Sequence, residues 1–458
     1  MSNEITVLKF GGTSLADGAG FERVMEVLRA CTDTAPVAVV SAMSGVTDAL
    51  NESLNQALGG KAIAAELPLE EHFERHLKVA SNFGLPATSR MRELVETTRL
   101  EIIDLLEAVA AEGLANASLR DAVRSYGEIL SAQLLSLVLN EHGLDATYVD
   151  SRHCLVTDEK HGNATPLFRE TARRTQATLK PLLKNKRLPV LGGFIGATRQ
   201  GVTTTLGRGS SDYTATIVSA ALNARETQIW TDVNGVQTAD PRLVGSARTV
   251  PHLSYDEAEE IARFGAKVLY PRMFQPVRER NIPIRICNSN APHQGGTLIG
   301  DKAAASSQPI KAIAYKHNLA RLDVTSTPAF VANGFQRSIE KIFKRHEVVM
   351  DIVGCSEVGL SLACNDGAAL SSIIHDIRHC GAVEATKHQA IISCVGEGLQ
   401  NASKGTMKVT NILKAIDSRL NWQRVSNINL MSVVDGDIVQ GLIRQVHREI
   451  FEDDVSFS

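Results

Sequence analysis

A chain of 458 residues with 43% hydrophobic side chains has material for several cores, and its length alone suggests about three domains. A formal net charge of −3 carries neither the basic footprint of a nucleic-acid binder nor a polybasic membrane face. No apolar run approaches the ~18–20 residues that span a bilayer, the opening MSNEITVLKF has no signal-type pattern, and seven cysteines show no C-x-x-C spacing, so the chain reads as cytoplasmic with reduced thiols.

The elements alternate from the start. ITVLKF (5–10) reads as a strand followed by the helix GFERVMEVLRA, and PVAVVSAM leads likewise into GVTDALNESLNQAL. Residues 66–143 break the alternation. They read as successive helices, with apolar residues at helical spacing in LRDAVRSYGEILSAQLLSLVL, and predict an all-helical insertion covering one side. Alternation then resumes: RLPVLGGF precedes DYTATIVSAALNA, TQIWTDV precedes YDEAEEIARFGAKVL, and IPIRICNS ends the series. The order predicts an α/β domain over residues 1–299 around a mainly parallel sheet. GDKAAASSQP (300–309) is small, polar and aperiodic, and predicts a linker. Beyond it a β-α-β-β-α-β order occurs twice, over 310–387 and 388–458, predicting two ferredoxin-like units. Each is small enough to need burial against its neighbour or a second subunit.

Four segments carry chemistry. In VLKFGGTS (7–14), Lys9 stands at the end of a strand before Gly11 and Gly12, whose backbone can approach a ligand. Open α/β sheets bind ligands at that edge, although a tight turn with an exposed lysine accounts for the segment equally well by itself. No G-x-x-x-x-G-K-[ST] loop occurs, and GRGSSD lacks the third glycine of a dinucleotide fingerprint. In TTTLGRGSSDYTA (203–215), Arg208 sits between two glycines, and a guanidinium fork suits a carboxylate or phosphate. Capping explains one of Ser210, Ser211 and Asp212 but not the whole cluster. WTDVNGVQTADPR (230–242) makes two successive turns bearing Thr231, Asp232, Asp240 and Arg242, either a pocket-forming loop or an ordinary hydrated one. In FGAKVLYP (264–271), Lys267 stands in an apolar run and should snorkel to water or meet an anion. His72 and His76, four apart on a predicted helix, lack the partners of a metal set and read as a solvated helix face.

Together these segments resemble the aspartokinases of the amino-acid kinase family. The resemblance rests on KFGGTS, VVSAMSGVTDAL (39–50), SYGEILSAQLL (125–135), GGFIGATRQGVTTTLGRGSSDYTA (192–215), WTDVNGVQTADPR and GAKVLYP (265–271), and it covers essentially the whole chain. It implies an amino-acid kinase fold followed by two ACT units, without a dehydrogenase half. The implied activity is Mg²⁺- and ATP-dependent phosphorylation of the side-chain carboxylate of L-aspartate, which opens lysine, threonine, methionine and isoleucine synthesis. By the family pattern, Lys9 and Lys267 hold the transferred phosphoryl oxygens and Asp212 orients those lysines. Gly11 and Gly12 offer N–H groups to the phosphates. Arg208 takes the α-carboxylate of aspartate, Glu128 faces its ammonium, and Ser41, Thr47 and Ser211 complete that pocket. Thr231, Asp232, Gln237 and Arg242 line the ATP site.

Gln237 stands where a tyrosine is usual, and Tyr270 where a histidine often follows the lysine. Asp351, Ser356 and Glu357 match the effector region of lysine-inhibited relatives, while Ala332 and Val349 lie where those relatives tend to carry hydroxyls. The resemblance implies a lysine or threonine effector, and a homodimer or dimer of dimers. Two alternatives stand beside it: a kinase for another carboxylate, and an inactive ACT-type sensor. Glu128 with Arg208 argues for an amino-acid zwitterion, and retention of Lys9, Asp212 and Lys267 argues for catalysis.

Overall fold

The computed structural model describes residues 5–60, 65–86, 90–112, 116–207, 209–265, 269–301, 309–326, 334–355, 359–399, 409–412 and 423–452. The chain divides into two units, the first formed by Met1–Gly235 with Tyr270–Lys302, the second by Val236–Leu269 with Ala303–Ser458.

The first unit is built on a mainly parallel sheet. Its strands are β1 (Ile5–Phe10), β2 (Ala35–Val40), β3 (Ala146–Val149), β4 (Leu188–Gly192), β7 (Glu226–Thr231), β8 (Ile284–Asn288) and β9 (Thr297–Gly300), with the hairpin β5 (Ile195–Ala197) and β6 (Thr203–Thr205) beside it. The spatial order runs β3-β4-β2-β1-β7-β8-β9, parallel except for β9 on β8. Central β1 is buried along its whole length, the mark of a strand covered on both faces.

Among the helices that accompany these strands are α1 (Gly18–Ala30), α2 (Val46–Leu58), α3 (Glu70–Asn82), α4 (Arg90–Glu112), α5 (Ala117–Glu141), α6 (Phe168–Lys184) and α7 (Ser211–Leu222). Asp17 caps α1 by accepting from the Gly20 N–H at 2.9 Å, and Phe21, Val24, Met25 and Leu28 face the core. Every residue of α7 is buried, its polar Ser211, Asp212, Thr214, Thr216 and Ser219 included, and it ends at Asn223 in the left-handed region. The helical run expected over 66–143 is present as α3, α4 and α5, but α5 packs directly on β3 and β4 and belongs to the sheet's own helical layer. The expectation of a solvated His72/His76 face is corrected. His76 is fully buried, its Nδ1 lies 2.7 Å from the His72 carbonyl, and burial pushes the imidazole down to about 4. The periodicity of α3 alone does not reveal that α2, α4 and α5 cover this face.

The second unit holds α8 (Tyr255–Arg263) and an antiparallel sheet of β10 (Ala312–Ser326), β11 (Met350–Cys355), β12 (Gly359–Asn365), β13 (Gly381–Val395), β14 (Gln423–Val425) and β15 (Asn429–Asp435), ordered β11-β12-β10-β13-β15-β14. Three more helices are α9 (Phe335–Arg345), α10 (Leu370–Ile377) and α11 (Val439–Phe451). The two repeats share strands. β10 and β13 run fifteen residues each and pair throughout, with register shifts around Lys316–Arg321 and left-handed Asn318 and His388 beside the break. Ala320, Leu322 and Val324 pack with α9 and α10, whereas Ile313, Ile392 and Cys394 pack with α11. One continuous sheet therefore serves two cores, consistent with two ACT-type units. Most of the second repeat's first helix, within GTMKVTNILKAID, and most of the 300–309 linker lie outside the described residues. No helix among those described is long and apolar enough to cross a membrane.

Candidate active site

The chemistry gathers at the C-terminal edge of the parallel sheet. Lys9 is the penultimate residue of β1, in register with Val39 and Ile229 on its two neighbours, and is 9% exposed. Its Nζ lies 2.7 Å from Oδ1 of Asp212, in the first turn of α7. Strand edge and helix start thus meet through one nearly buried ion pair. Breaking such a pair by removing one partner typically costs ~3–5 kcal/mol, because the survivor is left unpaired.

Glycines make this convergence possible. The Gly193 N–H donates to the Val40 carbonyl at 2.7 Å, and a Cβ on Gly193 would lie 2.6 Å from Cβ of Ser211. A Cβ on Gly192 would lie 3.0 Å from Cβ of Glu128. The end of β4 therefore brings Ser211 and Glu128 against adjacent residues. Similarly, a Cβ on Gly12 would meet the Ala42 carbonyl at 2.7 Å, while Ser44 N–H donates to the Gly12 carbonyl. The 41–45 loop is pressed onto the turn after β1, which places Ser41 and Thr47 on the same edge. Ser131 Oγ donates to the Ser41 carbonyl, and Asn51 Nδ2 to the Thr47 carbonyl.

Glu128 is 4% exposed, and its Oε2 has no hydrogen-bond partner. Burial pushes its carboxyl up to about 8, against smaller opposing effects from backbone N–H groups and the Lys9 charge. A buried carboxyl with an empty acceptor is a ready receptor for a cation.

Gly11 departs from expectation. Its N–H donates to the Trp230 carbonyl at 3.2 Å, closing the turn onto β7. The expected N–H toward phosphate is already spent there, so the contribution of Gly11 is close approach, with its would-be Cβ 3.5 Å from Lys9 Nζ. Thr231 ends β7 with its Oγ1 donating to Asp232 Oδ1. Its carbonyl accepts from both the N–H and Oγ of Ser289, and Ser14 Oγ donates to Ser289 Oγ at 2.9 Å. Ser289, directly after β8, ties the end of β7 to the helical turn that follows β1, and the sequence reading does not single it out. Only its place in IPIRICNS, at the end of a parallel strand, marked it.

Gln237 and Arg242 belong to the second unit. Gln237 Oε1 is buried without a hydrogen-bond partner, and the exposed Arg242 clasps Asp240 at 2.6 Å. Asp351 is also there, 4% exposed, with Lys316 Nζ at 2.7 Å and Arg263 Nε at 3.1 Å. Arg208, Lys267, Ser356 and Glu357 lie outside the described residues.

The amino acid kinase family model matches residues 4–288. Lysine-sensitive aspartokinase 3 of Escherichia coli (strain K12) is 32% identical over 98% of this chain and 100% of its own length. The chain belongs to the aspartokinases of the amino acid kinase family. Among aspartokinases of known structure, E. coli aspartokinase III in complex with aspartate and ADP (R-state) superposes with a TM-score of 0.84 at 31% identity, covering 98% of this chain and 100% of that one. The same enzyme in complex with lysine and aspartate (T-state) gives 0.79 at 30% identity, with the same coverage. The aspartokinase fold thus accounts for both units of the chain.

Proposed function

We propose that the chain transfers the γ-phosphoryl group of ATP to the side-chain carboxylate of L-aspartate, giving 4-phospho-L-aspartate and ADP. The carrying observation is the buried Lys9–Asp212 pair at the sheet edge together with the buried carboxyl of Glu128, whose Oε2 has no hydrogen-bond partner. A carboxylate nucleophile has no proton to lose at neutral pH, so a general base is unnecessary. The obstacle is repulsion between two anions, and phosphoryl transfer is mainly positioning and charge stabilisation. Two unit charges ~4 Å apart interact by ~4 kcal/mol at an effective dielectric of ~20.

In this reading Lys9 and Lys267 neutralise the transferred phosphoryl group, and Asp212 orients Lys9. Arg208 takes the α-carboxylate and Glu128 the ammonium, with Ser41, Thr47 and Ser211 around them. Gly12, Thr231 and Asp232 meet the nucleotide, and Gln237 and Arg242 are assigned to it by motif. Mg²⁺ would be held chiefly by the ATP phosphates and would neutralise their charge. Among the described residues, the one group of three metal-ligating side chains is His388, Asp435 and Asp437, exposed on the second unit's sheet.

Several finer assignments follow from the family. The enzyme opens the aspartate-derived amino-acid pathway in the cytoplasm, the ACT units pair across a homodimer, and lysine is the candidate effector near Asp351. The test is an aspartyl-hydroxamate assay dependent on ATP and Mg²⁺, with a panel of other carboxylates. Turnover of aspartate above the panel supports the proposal, and amino-acid binding without ATP turnover overturns it.

A further inference from the structure

A second buried carboxylate sits on α5, seven residues before Glu128. Asp121 is 0% exposed, and among the described residues none of the reacting groups hydrogen-bonds to it. Its Oδ2 accepts from His161 Nδ1 at 3.1 Å, from the Gly162 N–H at 2.9 Å and from the Thr205 N–H at 3.0 Å. Its Oδ1 accepts from Thr205 Oγ1 at 2.6 Å. Four donors from two distant segments converge on one side chain. Those segments also join each other, since the Ala164 N–H donates to the Thr205 carbonyl at 2.9 Å.

Thr205 ends β6, and Leu206 and Gly207 follow, leading into Arg208. Gly207 adopts φ of 92°, and a Cβ there would lie 3.2 Å from Asn163 Oδ1, itself held by Arg272 Nη1 at 2.9 Å. The 161–164 loop therefore bears on the chain just before Arg208. The same stripe of α5 holds the opposite wall: Arg124 Nε donates to Asn51 Oδ1, Asn51 donates to the Thr47 carbonyl, and Ser131 donates to the Ser41 carbonyl. Residues 121, 124, 128 and 131 follow the spacing of one helical face. A buried charge adds little stability over a well-packed apolar residue, whereas several directional bonds to one rigid helix fix a backbone's register.

We propose that Asp121 is a positioning residue for the aspartate half of the site, fixing β6 and the 161–164 loop in register with the α5 face that carries Glu128. The proposal rests on the reading that Glu128 and Arg208 bind aspartate. Its test compares Asp121→Ala, Asp121→Asn, Thr205→Val and Arg208→Ala, measuring KM for aspartate, KM for ATP, kcat and Tm. Asp121→Ala should raise KM for aspartate about tenfold or more while KM for ATP stays within about twofold. Asp121→Asn keeps an oxygen on the three N–H donors and turns its amide toward the adaptable Thr205 hydroxyl, so it should recover KM to within about threefold of the parent. If Asp121→Ala does not fold, Thr205→Val decides: a rise of about threefold in KM for aspartate supports the role, and no change overturns it. Equal movement of both KM values, or an unchanged KM for aspartate in folded Asp121→Ala, also overturns it. Should Arg208→Ala leave KM for aspartate unchanged, the half-site reading itself fails. An effective Arg208→Ala beside an ineffective Asp121→Ala removes only the positioning role.

Discussion

Lys9 Nζ meets Asp212 Oδ1 at 2.7 Å, joining the C-terminal end of a central strand to the first turn of a fully buried helix. The pair fixes the ammonium before any substrate arrives, and preorganised charge is what phosphoryl transfer asks of a protein. Lys9→Ala and Lys267→Ala should each lower kcat about 10²–10³-fold, some 3–4 kcal/mol of transition-state stabilisation, by analogy with loss of an oxyanion donor. Asp212→Asn keeps a hydrogen-bond acceptor and should lose less. The hydroxamate assay reads these effects, and near-normal turnover in Lys9→Ala would end the assignment.

Glu128 predicts a pH dependence. Its folded-state carboxyl lies at about 8 against an ordinary 4.5, raised by burial. A raised acid means that the folded state holds the proton more tightly than the unfolded chain. Its contribution to stability is therefore complete below pH 4.5 and is lost as pH rises toward 8. Glu128→Gln removes this loss, so relative to the parent it should gain stability on going from pH 5 to pH 8, on the order of 3 kcal/mol at most. An ammonium prefers the ionised carboxylate. KM for aspartate should then fall as pH rises from 6 toward 8, by up to about tenfold per unit, and Glu128→Gln should flatten that profile while raising KM. Parallel profiles for parent and variant would dismiss the ammonium contact.

Two glycines carry a steric prediction. A methyl on Gly193 has Ser211 Cβ at 2.6 Å, and one on Gly12 has the Ala42 carbonyl at 2.7 Å. Neither neighbour is the end of a flexible side chain. Gly193→Ala should displace the start of α7, lowering kcat/KM for aspartate about tenfold or more and Tm by several degrees. Gly245 has open space around it, and Gly245→Ala is the matched control. Equal behaviour of the two variants would refute the packing argument.

The parallel sheet and the groups proposed to react are the more legible part of the sequence. Lys9, Asp212 and Glu128 each stand in a motif that carries the resemblance to aspartokinases, which implies their roles, and the strand–helix alternation predicts the parallel sheet. Features that depend on pairing between distant segments are less legible. Asp121 is one aspartate on a helix until Thr205 and Gly162 are seen to converge on it. The Gly11 N–H can look free until β7 delivers the Trp230 carbonyl. His76 follows the pattern of an exposed face because periodicity records spacing, not which neighbours cover the helix. The sharing of β10 and β13 between two cores is likewise invisible, since each strand's alternation reads the same on either side of the register shift at Lys316–Arg321.

Asp351 supplies the last prediction, on regulation. Lys316 Nζ and Arg263 Nε already hold its two oxygens. An incoming lysine ammonium must compete with both resident cations for one carboxylate, so inhibition of the parent enzyme by lysine should be weak. Lys316→Met removes one competitor and keeps most of the stem's apolar volume over Phe264, whose ring lies 5.1 Å from that ammonium. The variant should be inhibited at lower lysine concentration, by about threefold or more if a single charge-assisted hydrogen bond is released. Dose–response curves of the parent, Lys316→Met and Asp351→Asn decide it. Asp351→Asn should abolish whatever lysine response exists, and a Lys316→Met curve that coincides with the parent's would place the effector elsewhere.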